Sequence, residues 1–277
     1  MRARLWGVRG SVPVPGRSTE RFGGNTSCVQ VTASDGSEFV LDAGTGIRAL
    51  GATMAGQSRR LHILLTHLHL DHIQGLMFFA PFFDPEAEVT VWGLPAAGRA
   101  LRKRLARYIS KPLSPIEIGE LPARVTFRDV PAQPWRIGAV ELRASLVSHR
   151  DSDNQTSRYY LPDHEPALGH DLATTKAGWI SGHALASNAS LLIHDCQYAE
   201  SEYPAHRGWG HSSLPDALGF ARRCDALRLL LFHHDPWHDD AFLEGLGREA
   251  SDRWVQLGGQ GPVALGRECD ALDLAAL

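Results

Sequence analysis

The chain has no apolar run near the roughly 18 residues that a membrane-spanning helix needs. Its longest candidate, Ile73 to Phe83, is broken by Gln74, Gly75 and Pro81. Cysteine is scarce: Cys28, Cys196, Cys224 and Cys269 lie far apart and form no C-x-x-C pair. Neither a disulfide framework nor a redox dithiol is indicated. The basic N-terminal stretch, Met1 to Gly10, leads into no apolar segment of signal-peptide length, so a reduced, cytoplasmic protein is expected. Neither sign of charge dominates. With 28 basic and 31 acidic residues the net charge is −3, and no global field draws the chain to nucleic acid. The phosphate-loop pattern G-x-x-x-x-G-K-[ST] is absent, so Gly44-Thr45-Gly46 reads as a turn. Against only 3 methionines and 5 tyrosines stand 14 histidines, an excess that points to a metal site if the residues cluster.

The 277 residues exceed one typical domain of roughly 150 but show no repeat and no linker. Strands are expected over 2–8, 28–33, 38–41, 61–66, 89–92, 124–130, 139–147, 158–161, 190–194 and 227–233. Asp35-Gly36 marks a hairpin. Helices are expected over 47–54, 73–79, 98–109, 213–223 and 239–256. Strands come first and strand–helix alternation follows, which fits two sheets covered by helices on their outer faces. Polar clusters recur after the strands 61–66, 158–161, 190–194 and 227–233, where α/β folds build sites.

The densest cluster is Thr66-His67-Leu68-His69-Leu70-Asp71-His72, just after an apolar strand. If 67–69 stays extended, alternation turns His67 and His69 to one side. A turn at Asp71 then brings Asp71 and His72 to a neighbouring position, a geometry suited to two adjacent metals. Between Arg99 and Lys111 lie six basic residues on a helix with Leu101, Leu105 and Tyr108. They read as a solvated face over an apolar stripe, or as a cap attracting an anionic substrate. Phe78, Phe79, Phe82 and Phe83 are read first as core, with a base-stacking wall as the alternative. Cys196 is read as a small buried residue.

His-x-His-x-Asp-His, together with Asp42-Ala-Gly-Thr-Gly after a strand, resembles the metallo-β-lactamase superfamily. The resemblance runs from residue 2 to about residue 240. It implies an α/β fold, an αββα sandwich taking in residues 1–277 as a single domain, with a two-metal site at one edge of the sheets. It also implies further ligands. His149 matches the next family histidine, with Asp151 and Asp153 as minor alternatives. Asp163, in Tyr160-Leu-Pro-Asp163, matches the bridging aspartate, with Asp195 as competitor. His233 matches the last histidine, with His234 as competitor. The implied metal set is His67, His69, Asp71, His72, His149, Asp163 and His233. The segment Gly208-Trp-Gly-His211-Ser-Ser resembles the His-Ser-Thr motif of the phosphodiesterase and ribonuclease Z branch, whose histidine faces the scissile phosphate. Asp195 then resembles the acidic residue supporting that histidine.

These donors are nitrogen and oxygen only, which suits two divalent ions, zinc first and manganese or iron as alternatives. Two metals about 3.5–4 Å apart lower the pKa of a shared water, and the resulting hydroxide is the nucleophile. The catalytic set is Asp71 to orient that water, His211 as general acid and Asp195 behind it. The expected function is hydrolysis of a small anionic phosphodiester, a cyclic or linear nucleotide or similar. Alternatives on the same metals are a thioesterase or lactonase, and an iron-binding redox or sensor protein. The tRNA-gripping arm of ribonuclease Z has no recognisable counterpart here. With the net charge, this argues against structured nucleic acid and for a small substrate. Family resemblance further implies a homodimer.

Overall fold

A computed structural model describes residues 1–57, 59–147, 160–168 and 170–274. Its strands are β1 (Arg2–Gly7), β2 (Cys28–Thr32), β3 (Glu38–Leu41), β4 (Arg60–Leu64), β5 (Glu88–Gly93) and β6 (Arg124–Asp129). They continue with β7 (Trp135–Ile137), β8 (Val140–Leu142), β9 (Tyr160–Leu161), β10 (Leu192–Asp195), β11 (Leu229–Phe232), β12 (Val263–Leu265) and β13 (Ala271–Asp273). The helices are α1 (Ile47–Met54), α2 (Leu70–Ile73), α3 (Leu101–Leu105), α4 (His183–Ala186), α5 (Tyr203–His206), α6 (Leu214–Arg223) and α7 (Asp240–Gln256).

One sheet runs β13-β1-β2-β3-β4-β5-β6, the other β12-β11-β10-β9, and β7-β8 form a separate hairpin. The first sheet begins as an antiparallel meander and becomes parallel from β3 onward. The second is parallel throughout. Parallel neighbours require crossovers, and the helices supply them. Three apolar layers result. Leu5, Val29, Tyr160, Ile193, Leu230 and Phe232 fill the space between the sheets. Ile47, Leu50, Phe79, Phe82, Leu101 and Leu105 pack outside the first sheet. Leu218, Phe220, Leu243 and Trp254 pack outside the second. This is the expected αββα arrangement. Every residue of β10 and β11 is buried, as central parallel strands covered on both faces must be.

Helix starts follow the local chemistry. Ser213 caps α6 through its hydroxyl, which accepts the Asp216 amide, with Pro215 in the first turn. Asp239 caps α7 by accepting the Phe242 amide at 2.8 Å.

Three segments differ from the expected pattern. The helix expected over 73–79 starts earlier, as α2, and gives way to 3-10 turns at Leu76–Phe78 and Ala80–Phe83. Gly75 presses on the Gly44 carbonyl, where a Cβ would collide, and Pro81 stops regular propagation. The 98–109 helix is regular only over α3, with Leu101, Leu105 and Ile109 still buried beneath exposed Arg102, Lys103 and Arg107. The 139–147 strand shortens to β8, which among the described residues pairs with β7 alone. Phe79 and Phe82 are core residues, whereas Phe78 and Phe83 face solvent.

Candidate metal centre

The parallel strands end at one rim, and the polar residues that follow them converge there. After β4, residues 67–69 remain outside any helix or strand. Leu68 packs on the core, and the rings of His67 and His69 meet edge to face at 4.3 Å, on one side as alternation requires. The first turn of α2 then presents Asp71 and His72.

Asp42, directly after β3, holds this turn. It takes a left-handed backbone conformation (φ 59°) and is fully buried. One oxygen accepts the Thr66 amide at 2.7 Å, and the Thr66 hydroxyl donates at 2.9 Å. The other accepts His72 Nδ1–H at 2.8 Å. That bond leaves Nε2 as the nitrogen of His72 that could coordinate a metal.

Asp163 follows β9 and touches three imidazoles. Its carboxylate lies 3.0 Å from His72 Nε2, 3.3 Å from His233 Nε2 and 3.6 Å from His67 Nε2. Asp71 Oδ2 lies 3.3 Å from both His72 and His233 and accepts the Ser11 amide at 2.8 Å. Burial works to raise both carboxyl pKa values. The neighbouring imidazoles outweigh it and hold both well below the usual range: His72 and His233 for Asp71, and His233, His72 and His67 for Asp163. The reverse holds at His72, where burial opposes the charge but Asp163, Asp71 and Asp42 push its pKa well up.

The two competing pairs separate in space. His233 takes φ 62°, turns its Nε2 to the carboxylates and gives Nδ1–H to the Gln197 amide oxygen at 3.0 Å. His234 points the other way. It donates to the Gly266 carbonyl at 2.9 Å and packs on Phe22, and burial takes its pKa down to about 3. Asp163 lies within the cluster, whereas Asp195 sits behind His211 and accepts its Nδ1–H at 2.6 Å. Asp195 also accepts the amides of Gln197 and Ser212, each at 3.0 Å, and of His164 at 3.2 Å. The His211 ring stacks on His233 at 5.0 Å and 16°. Burial works to lower its pKa, but Asp195, with smaller help from Asp163 and Asp71, brings it up to about 9. His149, Asp151 and Asp153 lie outside the described residues.

The donor set fits divalent metal. His67, His69 and Asp163 form one group whose ligand atoms lie within 4.8 Å of one another, and Asp71, His72 and His233 form a second. His72 Nε2 is buried without a hydrogen-bond partner and faces two carboxylate oxygens, a cradle a cation would complete. Asp42, Gln197, Thr66 and the Ser11 amide did not emerge from the sequence as site residues. Asp42 carried a signal, an aspartate closing a strand ahead of a glycine turn, but its partner His72 is 30 residues away.

Close approach also matters at Gly10. A Cβ there would collide with Nδ1 and Cε1 of His233. Gly10→Ala is expected to displace that ring and weaken metal binding by about 10–100-fold, the scale of losing an orienting contact. Competition against a chromophoric chelator measures it, and unchanged affinity would show that the ring tolerates the methyl group.

Known proteins agree with this architecture. The family model described as beta-lactamase superfamily domain matches residues 38–234. A ribonuclease Z of Haloarcula marismortui is 25% identical over an alignment covering 84% of this chain and 86% of that protein. Among solved structures, a diphosphatase from the PhnP family aligns with a TM-score of 0.66 at 15% identity, covering 99% of this chain and 97% of that one. The short form of human tRNase Z aligns at 0.64 and 18% identity, covering 99% of each chain. This chain therefore belongs to the beta-lactamase superfamily, in its ribonuclease Z-like branch, and is a metal-dependent hydrolase.

Proposed function

We propose that this hydrolase is a dinuclear phosphodiesterase acting on a small anionic diester, such as a cyclic or linear nucleotide. The observation that carries the reading is the His211–Asp195 dyad. It is joined at 2.6 Å and stacked on His233, with a ring nitrogen within 4.8 Å of ligand atoms of Asp163 and His233. An ester or lactone hydrolase has less need of a proton donor at that position.

His67, His69, Asp71, His72, Asp163 and His233 would hold two divalent ions, zinc first and manganese or iron as alternatives. When bound, these ions supply a water of lowered pKa and offset charge developing on phosphate oxygens. The chain does the rest. Asp71, held by the Ser11 amide, orients the attacking water. With Nδ1–H given to Asp195, His211 presents Nε2 to the leaving oxygen and hands it a proton. Asp195 fixes the ring and favours its protonated form. The catalytic unit is the whole sandwich, because the inter-sheet core draws on both halves of the chain. Similarity to ribonuclease Z over most of the chain favours RNA as a second reading, against the expectation from net charge.

The test is metal content after zinc supplementation, with turnover of bis(p-nitrophenyl) phosphate, a cyclic nucleotide and a precursor tRNA. Stoichiometric metal with small-diester turnover supports the reading. Cleavage of the RNA alone shifts it to the second. Turnover of thioesters or lactones with no diester activity, or a coloured iron protein without hydrolysis, overturns it.

A further inference from the structure

The loop that delivers His211 is anchored by a carboxylate outside the proposed ligand and acid set. Glu165 is 1% exposed, a rare position for a glutamate. One oxygen accepts the Tyr203 hydroxyl at 2.6 Å and the Gly208 amide at 2.9 Å. The other accepts the Gly210 amide at 2.9 Å. Burial, together with Glu165, raises the Tyr203 phenol pKa, so it remains a donor. Gly208 (φ 81°) and Gly210 (φ 90°) both take left-handed conformations, which let the backbone fold round one carboxylate. Gly210 is bonded directly to His211.

The same short segment reaches the rest of the site. Asp163 faces the imidazole cluster. The next residue gives its amide to Asp195 at 3.2 Å, and its carbonyl accepts the Ser212 hydroxyl at 2.6 Å. Residues 163–165 thus tie the cluster, the partner of His211 and the residues on both sides of His211, through the Gly210 amide and the Ser212 hydroxyl, to one strand end. A carboxylate buried for stability alone is poorly suited to this place, since the donors that meet it among the described residues, a phenol hydroxyl and two backbone amides, are neutral.

We infer that Glu165 is a positioning residue, setting the height of His211 over the reacting phosphate. This rests on the proposed phosphodiesterase reading. Glu165→Gln keeps the shape but places an NH2 against one amide donor. It leaves the metal cradle untouched. Losing the position of the acid matters most where the leaving group needs a proton. For a diester with an alkoxide leaving group, kcat is expected to fall about 100-fold, with little change in KM. For a p-nitrophenolate leaving group, which departs unprotonated, the loss stays below about tenfold. Bound zinc is unchanged. Tyr203→Phe removes one donor and reproduces the same leaving-group dependence on a smaller scale, which covers the case in which Glu165→Gln does not fold. Unchanged kcat on the alkoxide diester, or equal losses on both substrates, overturns the inference while the phosphodiesterase reading stands. A wild-type protein without diester turnover overturns both.

Discussion

His211→Ala is expected to lower kcat for hydrolysis of a phosphodiester with an alkoxide leaving group by about 10²–10⁴-fold while bound metal stays constant. The two effects separate because His211 gives its Nδ1–H to Asp195 at 2.6 Å and, although its ring lies within 4.8 Å of ligand atoms of Asp163 and His233, it belongs to neither of the groups His67–His69–Asp163 and Asp71–His72–His233. The pH profile gives the sign. A general acid works while protonated, and the His211 pKa is brought up to about 9. Wild-type kcat should fall as pH rises through the His211 pKa, which Asp195 holds above that of an ordinary histidine. Asp195 is the main support for that charge and lies outside the imidazole–carboxylate cluster. Asp195→Asn should move the falling limb down, toward the ordinary histidine value of about 6.5 or below. At pH 8 that variant loses on the order of tenfold or more for this reason alone. Steady-state kinetics over pH 6–10, with metal analysis of each variant, checks all of it. An alanine variant with normal turnover would remove His211 from the reaction.

Asp163→Asn is expected to have the largest effect, because one carboxylate serves three imidazoles from two separate strand ends. Metal stoichiometry should fall below two, and kcat should drop by on the order of 10⁴-fold or more, as when a member of a catalytic unit is removed. Stability provides an independent readout. Metal that binds only the folded state, at 100 times its Kd, stabilises it by about 2.7 kcal/mol. In a chain of this length that raises Tm by several degrees, at about 2–4 °C per kcal/mol. Wild-type protein should show this rise on zinc addition and Asp163→Asn should not. Binding should weaken as pH falls, since burial is overcome at His72 by three carboxylates and its proton must leave before Nε2 can coordinate. An asparagine variant that retains two metals and the thermal shift would assign Asp163 another role.

Much of this architecture was legible before any tertiary contact was known. The 67–72 motif is local: extended residues followed by a turn carry their side-chain directions with them, and the rings of His67 and His69 do meet. Buried strands at 190–194 and 227–233 were legible as apolar runs of strand length. The 98–109 and 139–147 segments were overextended, because apolar spacing shows which side is buried but not where backbone hydrogen bonding ceases.

By itself, then, the sequence determined the layered fold class, the rim where the strands end and the first four candidate donors. Each is set by periodicity or by neighbours within a few residues. Tertiary structure decided what depends on backbone reversals and distant partners. A left-handed turn at His233, with His234 paired to the Val8 carbonyl, sends two adjacent histidines in opposite directions. Strand order places Asp163 in the cluster and Asp195 behind His211. Asp42, Gln197 and Glu165 find their partners 30, 36 and 45 residues away. No spacing rule joins residues so far apart, and only the packing of the two sheets brings their strand ends to one rim.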